Sequence, residues 1–223
     1  MTLIKSPARF TSVVLDVDST LTSLEGIDWL ASLRGDEVAR KIASLTERAM
    51  AGEVSLESVY AERLSLIRPT RDEIALLARS YIREVQPGAR ALCAVLAASG
   101  SEVTLLSGGL RDAILPFAGY LDVPASRVHA VSVQYDRDGR YASLDGVQPL
   151  ATQRGKPAIL FSLGLARPLV MVGDGSTDAA VRGISDQFIA FTGVARRANV
   201  VAVADAEARD FSELHDLLLT GEP

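Results

Sequence analysis

Short apolar strands alternate with helical stretches along most of the chain, and this alternation limits the folds that it can adopt. The first strand is predicted over Phe10 to Leu15, where β-branched residues are bounded by polar ones. Later strand signals are short and apolar, over 102–106, 128–144 with a turn at 136–139, 169–172, 188–191 and 200–203. Helical stretches separate them, over 89–99, 110–119, 156–163 and 212–219. Strands joined in this way by helices indicate an α/β fold with a mostly parallel sheet that is covered on both faces.

Between Leu24 and Val85 the alternation gives way to helical sequence with almost no strand signal. Apolar residues recur there at helical spacing, in three stripes: Val38, Ile42, Leu45 and Ala49; Leu56, Val59, Tyr60, Leu64 and Ile67; Ile74, Leu77, Ala78 and Ile82. Proline-containing breaks follow at 68–70 and 86–88. We therefore predict three or four short helices, inserted after the first strand as residues 22–85, in a core made of residues 1–21 and 86–223.

The composition excludes several classes of protein. The 223 residues are 48% hydrophobic and 23% charged, which is typical of a folded globular chain. The formal net charge of −5 provides no basic field for nucleic acid. The apolar windows are shorter than the ~18 residues of a membrane span, and the first residues lack the apolar core of a signal peptide. We expect a cytoplasmic protein with no nucleic-acid or membrane partner, and leave open whether it forms a homodimer.

Two carboxylates, Asp16 and Asp18, directly follow the first strand. In extended chain, residues i and i+2 point to the same side, so both side chains can face one site. The repulsion between them calls for a cation, and oxygen ligands suit Mg²⁺. A helix cap or a polar turn would explain this pair equally well when it is taken alone.

A second acidic pair, Asp174 and Asp178, follows the strand predicted at 169–172. Gly173 and Gly175 allow a tight turn, and a helix that starts near Ser176 places Asp178 one turn further on. Asp174 can then reach a metal ion directly, whereas Asp178 fits a supporting position that orients Asp174 or a bound water. An acidic first turn of a helix is the simpler explanation for this pair by itself.

Two further elements supply groups that bind an anion. The segment Ser107-Gly108-Gly109 lies between a strand and a helix, where the Ser107 hydroxyl and backbone N–H groups form an anion-binding nest. Lys156 opens a predicted helix and adds a positive charge. In open α/β sheets ligands bind beyond the carboxyl ends of the strands, where these groups converge. Four carboxylates, one lysine and an anion nest together indicate a phosphate and Mg²⁺.

The motifs DVDST (16–20), SGG (107–109), the single Lys156 and GDGSTD (173–178), in this order, resemble those of the haloacid dehalogenase superfamily. Within it, the chain is most similar to the phosphoserine phosphatase family, through the helical insertion and the stretches MAGE (50–53), RLSL (63–66) and DGRY (138–141). The resemblance implies a Rossmann-like core with a small α-helical cap. It also implies Mg²⁺-dependent hydrolysis of a small phosphomonoester, O-phospho-L-serine, through an aspartyl-phosphate intermediate.

The resemblance implies a role for each acidic motif residue. Asp16 is the nucleophile, and Asp18 protonates the leaving oxygen and then deprotonates the hydrolytic water. The Asp16 carboxylate, the Asp18 backbone carbonyl and Asp174 are the implied ligands of Mg²⁺. Asp178 is implied to support the metal site.

Substrate contacts are also carried over from the resemblance. Those implied near the phosphoryl group are Ser107, Gly108, Lys156 and Thr177; Thr177 stands where many relatives carry Asn. Glu25 is implied to bind the substrate amino group and Arg63 its carboxylate, and Met50 is an apolar contact from the cap at the substrate site. A guanidinium fork matches a carboxylate in two parallel hydrogen bonds, which agrees with the role of Arg63.

Other functions remain open at this stage. The same chemistry could act on phosphoethanolamine, phosphocholine or another small phosphomonoester, or transfer the phosphoryl group to an alcohol such as homoserine. Glu25 and Arg63 favour an amino acid over these substrates. A non-catalytic phosphate-binding module is a rival from another class, but such a module has no need of the nucleophile Asp16.

Overall fold

The structure is a computed structural model that describes residues 8–50 and 54–219, with the backbone alone at 46–50 and 56. Six of its strands form one parallel sheet: β1 (Ser12–Leu15), β2 (Glu102–Leu110), β3 (Val128–Val131), β6 (Leu169–Gly173), β7 (Gln187–Phe191) and β8 (Ala206–Ala208). Their order across the sheet is β3-β2-β1-β6-β7-β8. The strands β4 (Val133–Tyr135) and β5 (Tyr141–Leu144) form a separate antiparallel hairpin. The predicted α/β fold with a parallel sheet is confirmed.

Strand β1 lies at the centre of the sheet and pairs in parallel with both β2 and β6. Its residues are fully buried, which explains why it reads as a continuous apolar run rather than an alternating one. Leu15 is in register with Leu105 of β2 and Val172 of β6. The residues that follow these strands therefore meet at one edge of the sheet.

Helices cover the sheet and fill the insert, by which we mean residues 22–85. The insert contains α1 (Gly26–Ser32), α2 (Asp36–Met50), α3 (Leu56–Ile67) and α4 (Arg71–Arg83). The remaining helices are α5 (Ala89–Ala98), α6 (Arg111–Tyr120), α7 (Gly155–Leu163), α8 (Ser176–Ala179), α9 (Ala198–Val201) and α10 (Phe211–Leu219). Within the described residues, none of these helices combines the length and the apolar character that crossing a membrane requires.

Backbone hydrogen bonds close the base of the insert and attach one of its corners to the core. At its base, Thr22 and Val85 form an antiparallel bridge, and Gln86 N donates to Leu21 O over 2.9 Å. At the corner between α3 and α4, Tyr141 N of the hairpin donates to Pro69 O over 2.8 Å. The insert is therefore held at its base and at one corner.

A charged pair stabilises the corner of the insert. Thr70 and Glu73 form a capping box at the start of α4. Both Glu73 oxygens accept from the Arg34 guanidinium, over 2.6 and 2.5 Å, and Arg34 Nε donates to Ile67 O over 2.7 Å. This hydrogen bonding lowers the pKa of Glu73 below its ordinary value. The pair links α1 and α2 to the start of α4.

Two sequence predictions are wrong in detail. The segment 200–203 is not a strand: residues Ala198–Val201 form the helical turn α9, and the edge strand is β8 instead. A short β-branched run does not distinguish a strand from a helical turn, and only one residue of this turn, Val200, is buried.

The strand predicted over 102–106 continues to Leu110, with a shift in its pairing to β3 between Leu106 and Leu110. The segment Ser107-Gly108-Gly109 therefore lies in an irregular strand end, and helix α6 begins only at Arg111.

Candidate active site

A cavity of about 280 Å³ lies where the carboxyl ends of the strands face the insert. It is lined from the core by Asp16, Asp18, Ser107, Gly108, Leu150, Thr152, Lys156, Asp174, Gly175, Ser176, Thr177, Asp178 and Arg197, and from the insert by Glu25, Ile27, Asp28, Tyr60 and Arg63. Every site residue proposed from the sequence, apart from Met50, lines this one cavity. Met50 lies outside the residues whose side chains the structure describes.

Lys156 lies between two buried carboxylates. Its Nζ is 2.8 Å from Asp16 Oδ1 and 2.5 Å from Asp178 Oδ1, and all three side chains are at most a tenth exposed. Burial lowers the pKa of Lys156, but the charges of Asp16 and Asp178 outweigh this effect and raise it. Burial and the Asp16 charge together raise the pKa of Asp178. The lysine is therefore a fixed cation beside the carboxylate that follows β1.

Asp178 is held by the turn after β6. Its Oδ2 accepts from Gly175 N over 2.9 Å, which completes the first turn of α8. A Cβ added to Gly173 would lie 2.3 Å from the Asp178 carboxyl carbon, so this position has no room for a side chain. The two glycines of the GDG sequence thus allow the carboxylate to turn back against the strand end.

Asp16, Asp174 and Asp178 form an acidic cluster that is suited to a metal ion. One carboxylate oxygen from each lies within 4.8 Å of the others. Asp174 also forms an ion pair with the Arg197 guanidinium and accepts from Thr20 Oγ1 over 3.3 Å. Two carboxylates that follow strand ends and one in the first turn of α8 match the all-oxygen coordination that hard divalent cations require.

Asp18 is half-buried among polar groups of the insert. Its Oδ1 accepts from the Tyr81 hydroxyl over 2.7 Å and from Gly26 N over 3.0 Å. Burial and the neighbouring Glu25 charge raise the pKa of Asp18 to about 8, although the hydrogen bond from Tyr81 acts in the opposite direction. The raised pKa favours the protonated form of this carboxyl group, which can donate its proton.

The end of strand β2 contributes small polar groups to the cavity. Ser107 Oγ accepts from Gly109 N over 2.9 Å, and the carbonyl of Gly108 accepts from the Tyr60 hydroxyl over 2.8 Å. Tyr60 belongs to α3, so this hydrogen bond joins the insert to the strand end. The Gly109 N–H that was predicted as part of the anion nest is directed at Ser107 in this state.

Charged groups of the insert line the opposite side of the cavity. Arg63 is 8% exposed, and its Nη2 donates to Asp28 Oδ1 over 2.6 Å. Its Nε is buried and has no hydrogen-bond partner among the described residues. Glu25 accepts from Ser19 Oγ over 2.7 Å and lies 3.9 Å from the Arg197 guanidinium. A cation and an anion thus face the cavity from the insert.

Comparison with known proteins identifies the family. A family model described as haloacid dehalogenase-like hydrolase matches residues 13–181. Human phosphoserine phosphatase is 36% identical over 206 residues, which cover 91% of each chain. This chain belongs to the phosphoserine phosphatase family of haloacid dehalogenase-like hydrolases. The chloroplastic phosphoserine phosphatase of Arabidopsis thaliana is a more distant relative, 34% identical over 87% of this chain and 67% of its own.

Solved structures of related proteins share the fold. A phosphoserine phosphohydrolase-like protein from Francisella tularensis superposes with a TM-score of 0.83 at 26% identity, over 93% of this chain and 99% of its own. A substrate-bound phosphoserine phosphatase complex superposes with a TM-score of 0.77 at 22% identity, over 93% of this chain and 98% of its own. Both structures therefore share the fold of this chain over most of its length.

Sequence reasoning does not find several residues at the site, among them Tyr60, Tyr81, Arg197 and Asp28. The helical spacing of α4 was read from its apolar residues, and Tyr81 lies on that same face, four residues after Leu77. The spacing could therefore have indicated that Tyr81 is buried, but not that its hydroxyl reaches Asp18. Arg197 precedes a helical turn that was read as part of a strand region, and no local pattern connects it with Asp174.

Proposed function

We propose that this chain hydrolyses O-phospho-L-serine to L-serine and phosphate in a Mg²⁺-dependent reaction. One observation carries the proposal: a single cavity is lined by the buried Asp16–Lys156 pair and by two insert residues of opposite charge, Glu25 and Arg63. The first pair suits a phosphoryl group, and the second suits the ammonium and carboxylate of an amino acid. The names of the relatives agree with this substrate.

In the first step Asp16 attacks the phosphorus atom through a carboxylate oxygen. The phosphorus–oxygen bond to the serine side chain breaks, and Asp18 gives its proton to the leaving oxygen. Lys156, the Ser107 hydroxyl and the Gly108 N–H stabilise the oxygens of the transferred group, and Thr177 lies beside them. The raised pKa of Asp18 supports its role, because an acid must hold its proton at the working pH.

In the second step a water molecule hydrolyses the aspartyl-phosphate. Asp18 left the first step as a carboxylate, so it accepts the proton of this water as the bond to phosphorus forms. The carboxylate of Asp16 is then restored and phosphate is released. One residue thus acts first as an acid and then as a base.

The acidic cluster is the proposed site for Mg²⁺. We assign the Asp16 carboxylate, the Asp18 backbone carbonyl and Asp174 as its ligands and Asp178 as a support. The three carboxylates converge in one cluster, and the Asp18 carbonyl is carried over from the family resemblance. When bound, Mg²⁺ supplies positive charge that offsets the repulsion between the phosphate and the attacking carboxylate. Arg197 and Lys156 balance part of the same negative charge in the protein alone.

Arg63 is the proposed carboxylate-binding residue. Its nine-tenths buried guanidinium has one nitrogen, Nε, without a partner among the described residues, and a carboxylate would satisfy it. Glu25 is the proposed partner of the ammonium group. Met50 stays a predicted apolar contact of the substrate.

The remaining predictions concern organisation. We propose that residues 1–21 and 86–223 form the catalytic core and residues 22–85 the cap, because the bridge between Thr22 and Val85 joins the two ends of the insert. A cytoplasmic location stays a prediction. Whether the chain forms a homodimer also stays open, and light scattering of the purified protein answers that question.

A panel of substrates tests the proposed function. Phosphate release is measured from phosphoserine, phosphoethanolamine and p-nitrophenyl phosphate, with wild type and the Arg63→Ala and Arg63→Lys variants. A charge-assisted hydrogen bond is worth about 1.5–3 kcal/mol, so Arg63→Ala should lower kcat/KM for phosphoserine about tenfold to a hundredfold. The other two substrates lack a carboxylate and should be spared, and Arg63→Lys should recover part of the loss.

Arg79→Ala is the matched control, because Arg79 lies on the exposed face of helix α4 in the same insert. It should change none of the three activities. An equal loss on all three substrates in Arg63→Ala would show that Arg63 supports the insert or the phosphate, and the amino-acid substrate would be refuted. Wild-type preference for phosphoethanolamine would favour the rival substrate class.

A further inference from the structure

We propose that Tyr81 is a positioning residue for Asp18, and that it turns one oxygen of that carboxyl group toward the reacting phosphate ester. The inference rests on the proposed function, because it assumes that Asp18 is the acid of the first step. It assigns a role in catalysis to helix α4, a part of the insert that does not line the cavity.

The Tyr81 hydroxyl has a defined position. The side chain is fully buried, and its ring packs against Phe117 with ring centres 5.7 Å apart. The hydroxyl donates to Asp18 Oδ1 over 2.7 Å, and the backbone N–H of Gly26 donates to the same oxygen over 3.0 Å. Since Oδ1 accepts two hydrogen bonds, it is the acceptor oxygen of the carboxyl group, and a proton is placed on Oδ2.

The second oxygen of Asp18 faces the phosphate-binding segment. A Cβ built on Gly109 would lie 2.8 Å from Asp18 Oδ2 and 3.2 Å from Ser107 Oγ. Oδ2 therefore lies beside the strand end that contributes Ser107 and Gly108 to the cavity. The two oxygens of one carboxyl group thus face different surroundings, Oδ1 the insert and Oδ2 the end of strand β2.

Gly26 makes this arrangement sterically feasible. A Cβ at residue 26 would lie 2.0 Å from the Tyr81 hydroxyl oxygen and 3.3 Å from Leu77 Cδ2. A side chain at this position would therefore displace the hydroxyl from Asp18. Because Gly26 has no side chain, the Tyr81 hydroxyl fits beside it. Both residues then donate a hydrogen bond to the same oxygen, Asp18 Oδ1.

The proton transfer shows what the positioning contributes. When Asp16 attacks, the bond between phosphorus and the ester oxygen breaks, and its electron pair stays on that oxygen. Asp18 transfers the proton from Oδ2 to this oxygen and becomes a carboxylate. A carboxyl group that can rotate presents its proton in the right direction for only part of the time, so a fixed orientation raises the rate.

Leaving-group dependence tests the role of Tyr81. An alkoxide is a poor leaving group and needs the proton, whereas p-nitrophenolate leaves without one. Tyr81→Phe removes the hydroxyl and keeps the ring. We expect it to lower kcat/KM for phosphoserine and phosphoethanolamine about tenfold to a hundredfold, and for p-nitrophenyl phosphate less than about threefold. The ratio kcat/KM reports the first phosphoryl transfer, so the later use of Asp18 as a base does not obscure the result.

Three further variants separate positioning from a structural effect. Tyr120→Phe is the matched control, because Tyr120 belongs to helix α6 and does not line the cavity; it should leave both kinds of substrate unaffected. Gly26→Ala should show the same selective loss as Tyr81→Phe. In an Asp18→Asn background, where no acid proton remains, Tyr81→Phe should change the alkyl phosphate activity by less than about twofold.

The outcomes distinguish this inference from the proposed function. If wild type hydrolyses phosphoethanolamine but not phosphoserine, the substrate assignment is wrong, and the comparison with p-nitrophenyl phosphate still decides the role of Tyr81. Equal losses on alkyl and aryl phosphates in Tyr81→Phe and Gly26→Ala would overturn the inference and assign Tyr81 to packing alone. Additive losses in the Asp18→Asn background would overturn it as well.

Discussion

The two sides of the cavity differ in how their charges are held. On the core side, which we define as Asp16, Lys156, Asp174 and Asp178, each residue is at most 7% exposed, and the carboxylates follow rigid parallel strands or the turn after them. On the insert side, Glu25, Asp28 and Arg63 come from helices or their first residues. The Glu25 and Asp28 side chains are 46% and 45% exposed, and the buried Arg63 forms an ion pair with the half-exposed Asp28.

This difference indicates which side determines the phosphoryl transfer and which side selects the substrate. Buried charges in fixed positions interact strongly and cost no reorganisation during the reaction, which suits them to the phosphoryl transfer. Half-exposed charges are screened by water and distinguish one small molecule from another only by direct contact. Changes on the core side should therefore affect every substrate, and changes on the insert side only substrates with a matching group.

The largest effect is expected from Asp16→Asn. An amide has nearly the shape of a carboxylate but is a poor nucleophile, so phosphate release should fall by at least about 10⁴-fold on every substrate. A thermal melt should show a folded protein. Asp122→Asn is the matched control, since Asp122 is exposed and has a φ of 60°, which asparagine also adopts readily. Activity of Asp16→Asn near the wild-type value would refute the role of Asp16.

Removal of metal should also lower the activity on every substrate, because the carboxylates proposed as ligands, Asp16 and Asp174, belong to the core side. EDTA followed by desalting should reduce hydrolysis of all three substrates to background, and Mg²⁺ should restore it. Ca²⁺ should restore little, because its larger and more flexible coordination does not maintain the geometry that Mg²⁺ imposes. Full activity in metal-free protein would contradict the assignment of Asp16 and Asp174 as ligands.

Lys156→Met tests the balance of buried charge. The substitution leaves Asp16 and Asp178 buried without their shared cation, which should lower the free energy of unfolding by about 3–5 kcal/mol. Urea denaturation at pH 7 measures this change. Lys41→Met is the control, because the Lys41 side chain is 55% exposed and 3.9 Å from Glu62, and a surface pair of this kind contributes at most about 1 kcal/mol. A similar small change in both variants would show that the core side tolerates an uncompensated carboxylate.

The smallest effect concerns the Arg34–Glu73 pair, which belongs to the insert but not to the cavity. The folded-state pKa of Glu73 is below its unfolded value, so the pair stabilises the protein above the unfolded pKa, and this contribution is lost as the pH falls through the folded value. Glu73→Gln should therefore cost about 1 kcal/mol at pH 7 and progressively less below about pH 4. Urea denaturation at several pH values measures the difference.

The activity of Glu73→Gln on phosphoserine should equal that of wild type, because the pair does not line the cavity. A loss of activity there would show that substrate recognition depends on the stability of the insert as a whole. A difference in stability that persists at low pH would show that the Glu73 side chain acts through packing rather than charge.

The core side could be predicted from the sequence because its residues occur next to strong local patterns. Asp16 and Asp174 each follow a buried apolar strand, and parallel strands bring their carboxyl ends together whatever the rest of the chain does. The hydrogen bond from Tyr81 to Asp18 joins residues 63 positions apart in sequence. No local pattern carries such a contact, because it depends on how the insert packs against the core.

The errors in the fold have a similar origin. Residues 200–203 carry the β-branched composition of a strand, yet the edge of the sheet is formed by Ala206–Ala208, a segment with little strand signal. The position of an edge strand depends on its partner: Asp205 accepts from Phe188 N at the start of this pairing, over 2.8 Å. Composition alone does not predict which segment pairs with β7. It also does not predict that β2 extends through Gly108 and Gly109.

The base of the insert keeps its two ends together. Thr22 and Val85 pair there as an antiparallel bridge, and Gln86 N donates to Leu21 O directly beside it. Gly26 and Tyr81, which both donate to Asp18, are each four residues from this bridge. The Tyr81 ring also packs on Phe117 of the core, so both donors are held where insert and core join. The alignment of the acid therefore depends on the base of the insert rather than on the far ends of its helices.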